Sequence, residues 1–184
     1  VTSLLGSLAL IGTPLLSGFY SKDSIIEAVH FSHLPGAGFA YFAVLAGVFI
    51  TAFYSFRMYF LVFHGAERFD QNPDAHHGHD DHGHGDKPHE SPWVVTVPLV
   101  LLAVPSVLIG FLTVMPMLFG DFLKDAITVN ASLHPSMAEL AKLIHGPVEL
   151  AVHSLATPAL WLAVSGVVLA WYMYLVNPAV PAAF

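Results

Sequence analysis

Lys22 and Asp23 stand side by side in a stretch that otherwise has the length and polarity of a membrane span. The approach to them runs Gly12-Thr13-Pro14-Leu15-Leu16-Ser17-Gly18-Phe19-Tyr20-Ser21. A proline, two glycines and three small hydroxyl residues thus precede an adjacent cation and anion. Bilayer interiors accept broken backbone and charge only where protein or water satisfies them. A lysine in such a place can take up and release a proton along a hydrated path. The same spacing also fits a plainer arrangement, in which Lys22 snorkels from the end of a span and Asp23 caps the following helix. Helical neighbours point about 100° apart, so the two side chains need not bond each other.

Histidines are the second candidate group. His76, His77, His79, His82, His84 and His89 alternate with aspartates in one polar stretch. Imidazole and carboxylate suit Zn²⁺, Ni²⁺ or Cu²⁺. The order is nevertheless low-complexity, without a defined spacing on rigid elements, and reads first as a hydrated, disordered linker with weak metal affinity. His64 follows an apolar run and reads as an interfacial histidine, with proton uptake as its alternative role. No nucleophile–base pair, glycine-rich phosphate loop or redox ligand set is evident. The chain has no cysteine, which excludes disulfides and Cys-ligated iron–sulfur clusters within it.

The elements that position these residues follow from hydropathy. Of 184 residues, 55% are hydrophobic and 10% charged, whereas a soluble domain is about 25% charged. The fold class is therefore an all-α polytopic membrane protein. A spanning helix needs roughly 20 apolar residues, and four segments qualify: 3–30, 39–63, 94–115 and 158–176. Pro14 and Gly18 break the first, and Ser24-Ile25-Ile26-Glu27 has the form of a capping box that restarts it. Helix, break and new start is the pattern of a discontinuous transmembrane helix. Pro98 and Pro105 predict a bend or late start in the third span. Residues 65–92 form the His-rich loop, which holds five of the chain's seven net negative charges. That acidic balance argues against nucleic-acid binding. Within 120–157, Ser136–Glu139 resembles another capping box, and a short amphipathic helix follows at the membrane interface. Arg57, Arg68 and Lys87 slightly favour a cytoplasmic or matrix-side loop. A chain that opens at Val1 inside an apolar run reads as a segment of one larger membrane domain.

The stretch from Ser7 through Gly12-Thr13-Pro14 and Ser21-Lys22-Asp23 to Ile26 closely resembles subunit L of bacterial respiratory complex I and its mitochondrial chain 5 counterpart. The run Ala52-Phe53-Tyr54-Ser55-Phe56-Arg57-Met58-Tyr59 to Gly65 is similar to that family's next helix, and His89-Glu90-Ser91-Pro92 also fits. The likeness covers residues 3–118 well and the remainder by hydropathy. It implies an antiporter-like subunit in the membrane arm of NADH-quinone oxidoreductase, in a bacterial or mitochondrial inner membrane, with other membrane-arm subunits, lipid, water and protons as partners. It implies that Lys22 passes protons and that Asp23 is its neighbour on the path. It implies no cofactor in this chain, with NADH, FMN, iron–sulfur clusters and quinone bound by other subunits. Asp23 favours this family over Mrp-type sodium/proton antiporters, which are similar to it but look more like Ser-Lys-Glu at this point. Two readings from other classes remain beside it: a His-loop metal transporter and a purely structural membrane module.

Overall fold

The structure is a computed structural model, and it describes residues 1–65, 91–130 and 135–182. Among these residues every regular element is helical. They are α1 (Thr2–Ile11), α2 (Ser17–His30), α3 (Ala37–Phe63), α4 (Trp93–Leu118), α5 (Pro135–Leu143), α6 (Pro147–Ser154), α7 (Pro158–Trp171) and α8 (Ala179–Ala182). A π-helical turn, Tyr172–Val176, continues α7. Three helical stretches are long and apolar enough to cross a membrane: Ala37–Phe63, Trp93–Leu118 and Pro158–Val176. The fourth passage is α1 and α2 taken together. The fold is that of a multi-pass helical membrane protein, as the hydropathy indicates.

The break in the first passage is real but lies earlier than the capping-box reading places it. α1 ends in a Schellman motif. Gly12 adopts the left-handed region (φ 83°, ψ 41°), with its N–H on the Ala9 carbonyl and the Thr13 N–H on the Leu8 carbonyl. This is the usual glycine C-terminus, because only glycine enters that region without a Cβ penalty. A tight turn follows, closed by the Leu16 N–H on the Thr13 carbonyl at 3.2 Å. Pro14 takes the second position of this turn and Leu15 the third, at φ 72°. Type II turns favour this order of proline and positive φ, although glycine is the usual third residue. α2 then begins at Ser17, so Ser24 lies inside it and does not start it. The Ser24 hydroxyl donates to the Tyr20 carbonyl one turn back at 2.7 Å. A serine eight residues into a helix can back-bond to the preceding turn as readily as it caps, and tertiary packing at Ser17 decides the start.

Gly18 is likewise corrected: it sits in the first turn of α2, and the break is at Gly12 to Leu16. Its role is close approach. A Cβ at Gly18 would lie 1.9 Å from the Ala9 carbonyl oxygen, so glycine alone lets α2 fold back onto the end of α1. The third span starts at Trp93 and runs unbroken through Pro98, Pro105 and Pro116, which removes the expected late start. Segment 120–157 contains the expected amphipathic helix α5 and, unexpectedly, a second helix, α6. Gly146-Pro147 stops the first and also starts the second, with Pro147 at a position that needs no N–H. Leu140 and Ile144 are buried in a cluster with Phe19, Tyr20 and Val114, so α5 turns its apolar side onto the bundle.

α3 and α7 form the most extensive helix pair. Small residues make this possible: Ala52, Ala159, Ala163 and Ala170 are buried along the seam. Apolar burial drives little association inside lipid, so close backbone approach and van der Waals contact hold such pairs. At Gly166 a Cβ would lie 2.7 Å from the Phe49 carbonyl oxygen and 2.9 Å from the Ala52 Cβ. Overpacking of this kind costs about 1–3 kcal/mol. Gly166→Val is therefore expected to lower the thermal midpoint of the assembled protein in detergent, and an unchanged midpoint would show that the seam tolerates separation.

Candidate functional site

Gly12, Pro14 and the turn after them leave the end of α1 with carbonyls that no helical N–H can reach. Pro14 has no N–H to offer Leu10. Lys22, from the second turn of α2, fills that role: its Nζ donates to the Leu10 carbonyl oxygen at 2.7 Å. A cation at a helix C-terminus also meets the negative end of the helix dipole. The lysine is half-buried, and its Cδ lies 3.3 Å from where a Gly12 Cβ would stand. Gly12 thus serves twice, as the left-handed terminator and as the floor on which the lysine stem lies. Each interaction supports the next: turn geometry exposes the carbonyl, and the carbonyl holds the lysine.

Asp23 points elsewhere, as adjacent helical residues must. It is 5% exposed, and its Oδ2 has no hydrogen-bond partner among the described residues. A small cavity of about 20 Å³ lies against Lys22 and Asp23, walled by Ile11, Gly12, Phe19, Ile26, Val48, Ser154 and Ala163. That space suffices for about one water. Five elements meet there: α1, α2, α3, α6 and α7. Val48 lies eleven residues into α3, which puts the cavity about 16 Å from one end of that helix and about 22 Å from the other at 1.5 Å per residue. The lysine and aspartate are therefore near mid-depth of the bundle rather than at a span end.

The start of α2 is anchored separately. The Ser17 hydroxyl donates to the Pro105 carbonyl at 2.7 Å and accepts from the Gly110 N–H at 3.1 Å. A Cβ on Gly110 would lie 2.6 Å from the Ser17 Cα and 2.8 Å from the Tyr20 ring. Interhelical bonds of this kind contribute about 0.6 kcal/mol each in membranes, which is modest, but they fix the rotation of α2 about its axis. That rotation directs Lys22 to α1 and Asp23 into the cavity.

The other expected residues fall outside this cluster. His64 caps the far end of α3, is exposed, and stacks on Tyr59 and Phe60 at 5.4 Å and 5.8 Å. It is sixteen residues beyond Val48, or about 24 Å along the helix. The structure does not bring it to Lys22. His76, His77, His79, His82 and His84 lie outside the described residues. Among the described residues no group of histidines and carboxylates stands close enough to hold a metal ion. One buried group escaped sequence reading: Glu27 is 6% exposed, one turn beyond Asp23 on the same side of α2. Its apparent place in a capping box hid it. The i, i+4 spacing of two carboxylates in an apolar run was the available signal.

No protein-family model matches the chain. Individual proteins do. It is 58% identical over 99% of its length to the NADH-quinone oxidoreductase subunit L of Neisseria meningitidis serogroup A. It is 42% identical over 59% of its length to the NAD(P)H-quinone oxidoreductase chain 5 of Synechocystis. It is 38% identical over 71% of its length to the subunit L of Rhodobacter capsulatus. The likeness to the Neisseria protein extends well past residue 118 and takes in the segments that hydropathy alone could match. The chain spans about 28% of the length of the Neisseria relatives. With the broken first passage, three further apolar helices and this identity over 99% of its length, the chain is similar throughout to a segment of the subunit L of NADH-quinone oxidoreductases.

Proposed function

We propose that this chain is the part of an antiporter-like membrane-arm subunit that carries one proton half-path, with Lys22 as the proton-exchanging group and Asp23 as its neighbour. The observation that carries this reading is the Lys22 ammonium on the Leu10 carbonyl at a mid-depth helix break, beside a buried aspartate and a cavity of water size. A charge at the bilayer centre costs about 2.5–3.5 kcal/mol on insertion scales. Here the cost is offset locally by the Leu10 carbonyl and the end of α1. Lys22 and Asp23 stand with one group on each side of the α2 backbone ridge, one capping α1 and the other facing the cavity.

The chemistry asked of these residues is proton transfer without bond making elsewhere. Lys22 as ammonium caps α1; as amine it gives up the charge–dipole attraction and can leave the carbonyl. The α1 end and the cavity thus offer the side chain two positions. Moving a proton against 100 mV takes about 2.3 kcal/mol, and in this reading that energy comes from quinone reduction in other subunits, which also hold NADH, FMN and the iron–sulfur clusters. The membrane arm, lipid, water and protons are the partners. The loop 65–92 faces the cytoplasm or matrix by its basic residues, and His64 is an interfacial residue on that side. Residues 1–184 form one part of a single larger membrane domain.

Removing a positioned acid–base group typically costs 10²–10⁴-fold. Lys22→Met is expected to leave assembly and membrane targeting intact and to lower proton transfer through this subunit by roughly 10²-fold. The proton-to-electron ratio in inverted membrane vesicles reads this directly, and an unchanged ratio in an assembled complex would sink the proposal. The metal-transporter reading makes the opposite demand. It requires the loop, whereas this proposal does not. Deletion of residues 74–90 is expected to leave quinone reductase activity and pumping within twofold while removing most Zn²⁺ binding seen by calorimetry. Loss of pumping on deletion would move the function to the histidines.

A further inference from the structure

α2 carries more buried charge than the proposed path uses. Asp23 and Glu27 are 5% and 6% exposed, and they are one helical turn apart. Residues at this spacing stand about 5–6 Å apart at Cβ on one side of a helix. Both sit close enough to influence each other electrostatically. Tyr41, at the start of α3, lies close enough to feel the Glu27 charge. His30, the last residue of α2, packs its ring on Tyr41 at 4.9 Å and is exposed. Burial therefore decreases toward the α2–α3 turn: two buried carboxylates on α2, then the half-buried Tyr41 phenol on α3, then the exposed His30 imidazole. No ion pair holds either carboxylate among the described residues. A bundle that needed no charge there could bury apolar side chains at both positions at lower cost. Asp23 lines the cavity at one end of this series, and its Oδ2 has no hydrogen-bond partner among the described residues.

We propose that Glu27 is the proton carrier after Asp23, and that the half-path leaves the cavity along α2 past Glu27 to the end marked by Tyr41 and His30. This rests on the reading of Lys22 and Asp23 given above. Each transfer conserves charge: Lys22 loses a proton to Asp23 by way of the cavity, Asp23 passes it to Glu27, and Glu27 releases it at the His30 end as Lys22 is reprotonated from within the bundle. The route ends at the turn between α2 and α3, on the opposite side from His64 and the His-rich loop, since α3 separates the two by its full length.

The test uses the assembled complex in inverted vesicles. Glu27→Gln keeps the shape and hydrogen-bonding ability of the side chain and removes its proton exchange; it is expected to lower the proton-to-electron ratio as Lys22→Met does. Glu27→Asp restores a carboxyl and is expected to recover at least half of the native ratio. A structural role would be met by glutamine, so a native ratio in Glu27→Gln overturns the proposal. If Lys22→Met loses pumping and Glu27→Gln does not, Glu27 alone is excluded; if neither loses it, the whole half-path falls. Should Glu27→Gln fail to assemble, carboxyl-stretch infrared difference spectra on turnover decide. A band that shifts in Glu27→Asp supports the role, and identical spectra overturn it.

Discussion

A lysine ammonium bonded to a backbone carbonyl at the end of a half-helix is the interaction around which the bundle is arranged. The Leu10 carbonyl needs a donor because Pro14 supplies none. In water such a carbonyl would be hydrated and of no consequence. Near mid-depth of an apolar bundle an unpaired one costs several kcal/mol. Lys22 removes that cost, and the carbonyl in turn lessens the cost of burying Lys22. Neither group is stable there alone. Gly12, Gly18 and Gly110 supply the close approaches that let α1, α2 and α4 meet around the pair.

The surrounding helices serve as a frame. α3 and α7 are joined by small residues, and their seam presents Val48 and Ala163 as cavity walls. α4 is mostly uncovered within this chain and is attached at the Ser17 bridge and the Val114 cluster. Its three prolines leave the helix continuous. α3 and α7 pack most closely on each other, while α2 packs more extensively on α4 than on α3.

Much of this was legible in the sequence. Apolar runs separated by polar stretches located every long helix to within a few residues, since span length is set by bilayer thickness. Pro14 announced the break. What was not legible was its register. Ser24 to Glu27 satisfied a local rule for a helix start, but the packing of Ser17 on α4 and of Gly18 on Ala9 overrode it. The same misreading concealed Glu27, whose burial follows from tertiary packing. α6 was missed because an eight-residue helix is too short to impose a clear period. The likeness to subunit L pointed at Lys22, while its carbonyl partner Leu10 could be found only in three dimensions, because a backbone acceptor has no signature in residue types.

The division of the first passage also bears on how the chain enters the membrane. α1 has ten residues and α2 fourteen, or about 15 Å and 21 Å. Neither crosses a hydrocarbon core of about 30 Å. α2 carries Lys22, Asp23 and Glu27, each disfavoured by insertion as an isolated segment. The insertion machinery thus meets one half that is apolar but too short and another that is both too short and charged. The two must partition as a single hairpin-free unit, with α1 drawing α2 into the bilayer. α3 follows after a turn of only a few residues and supplies the apolar partner that makes the insertion permanent.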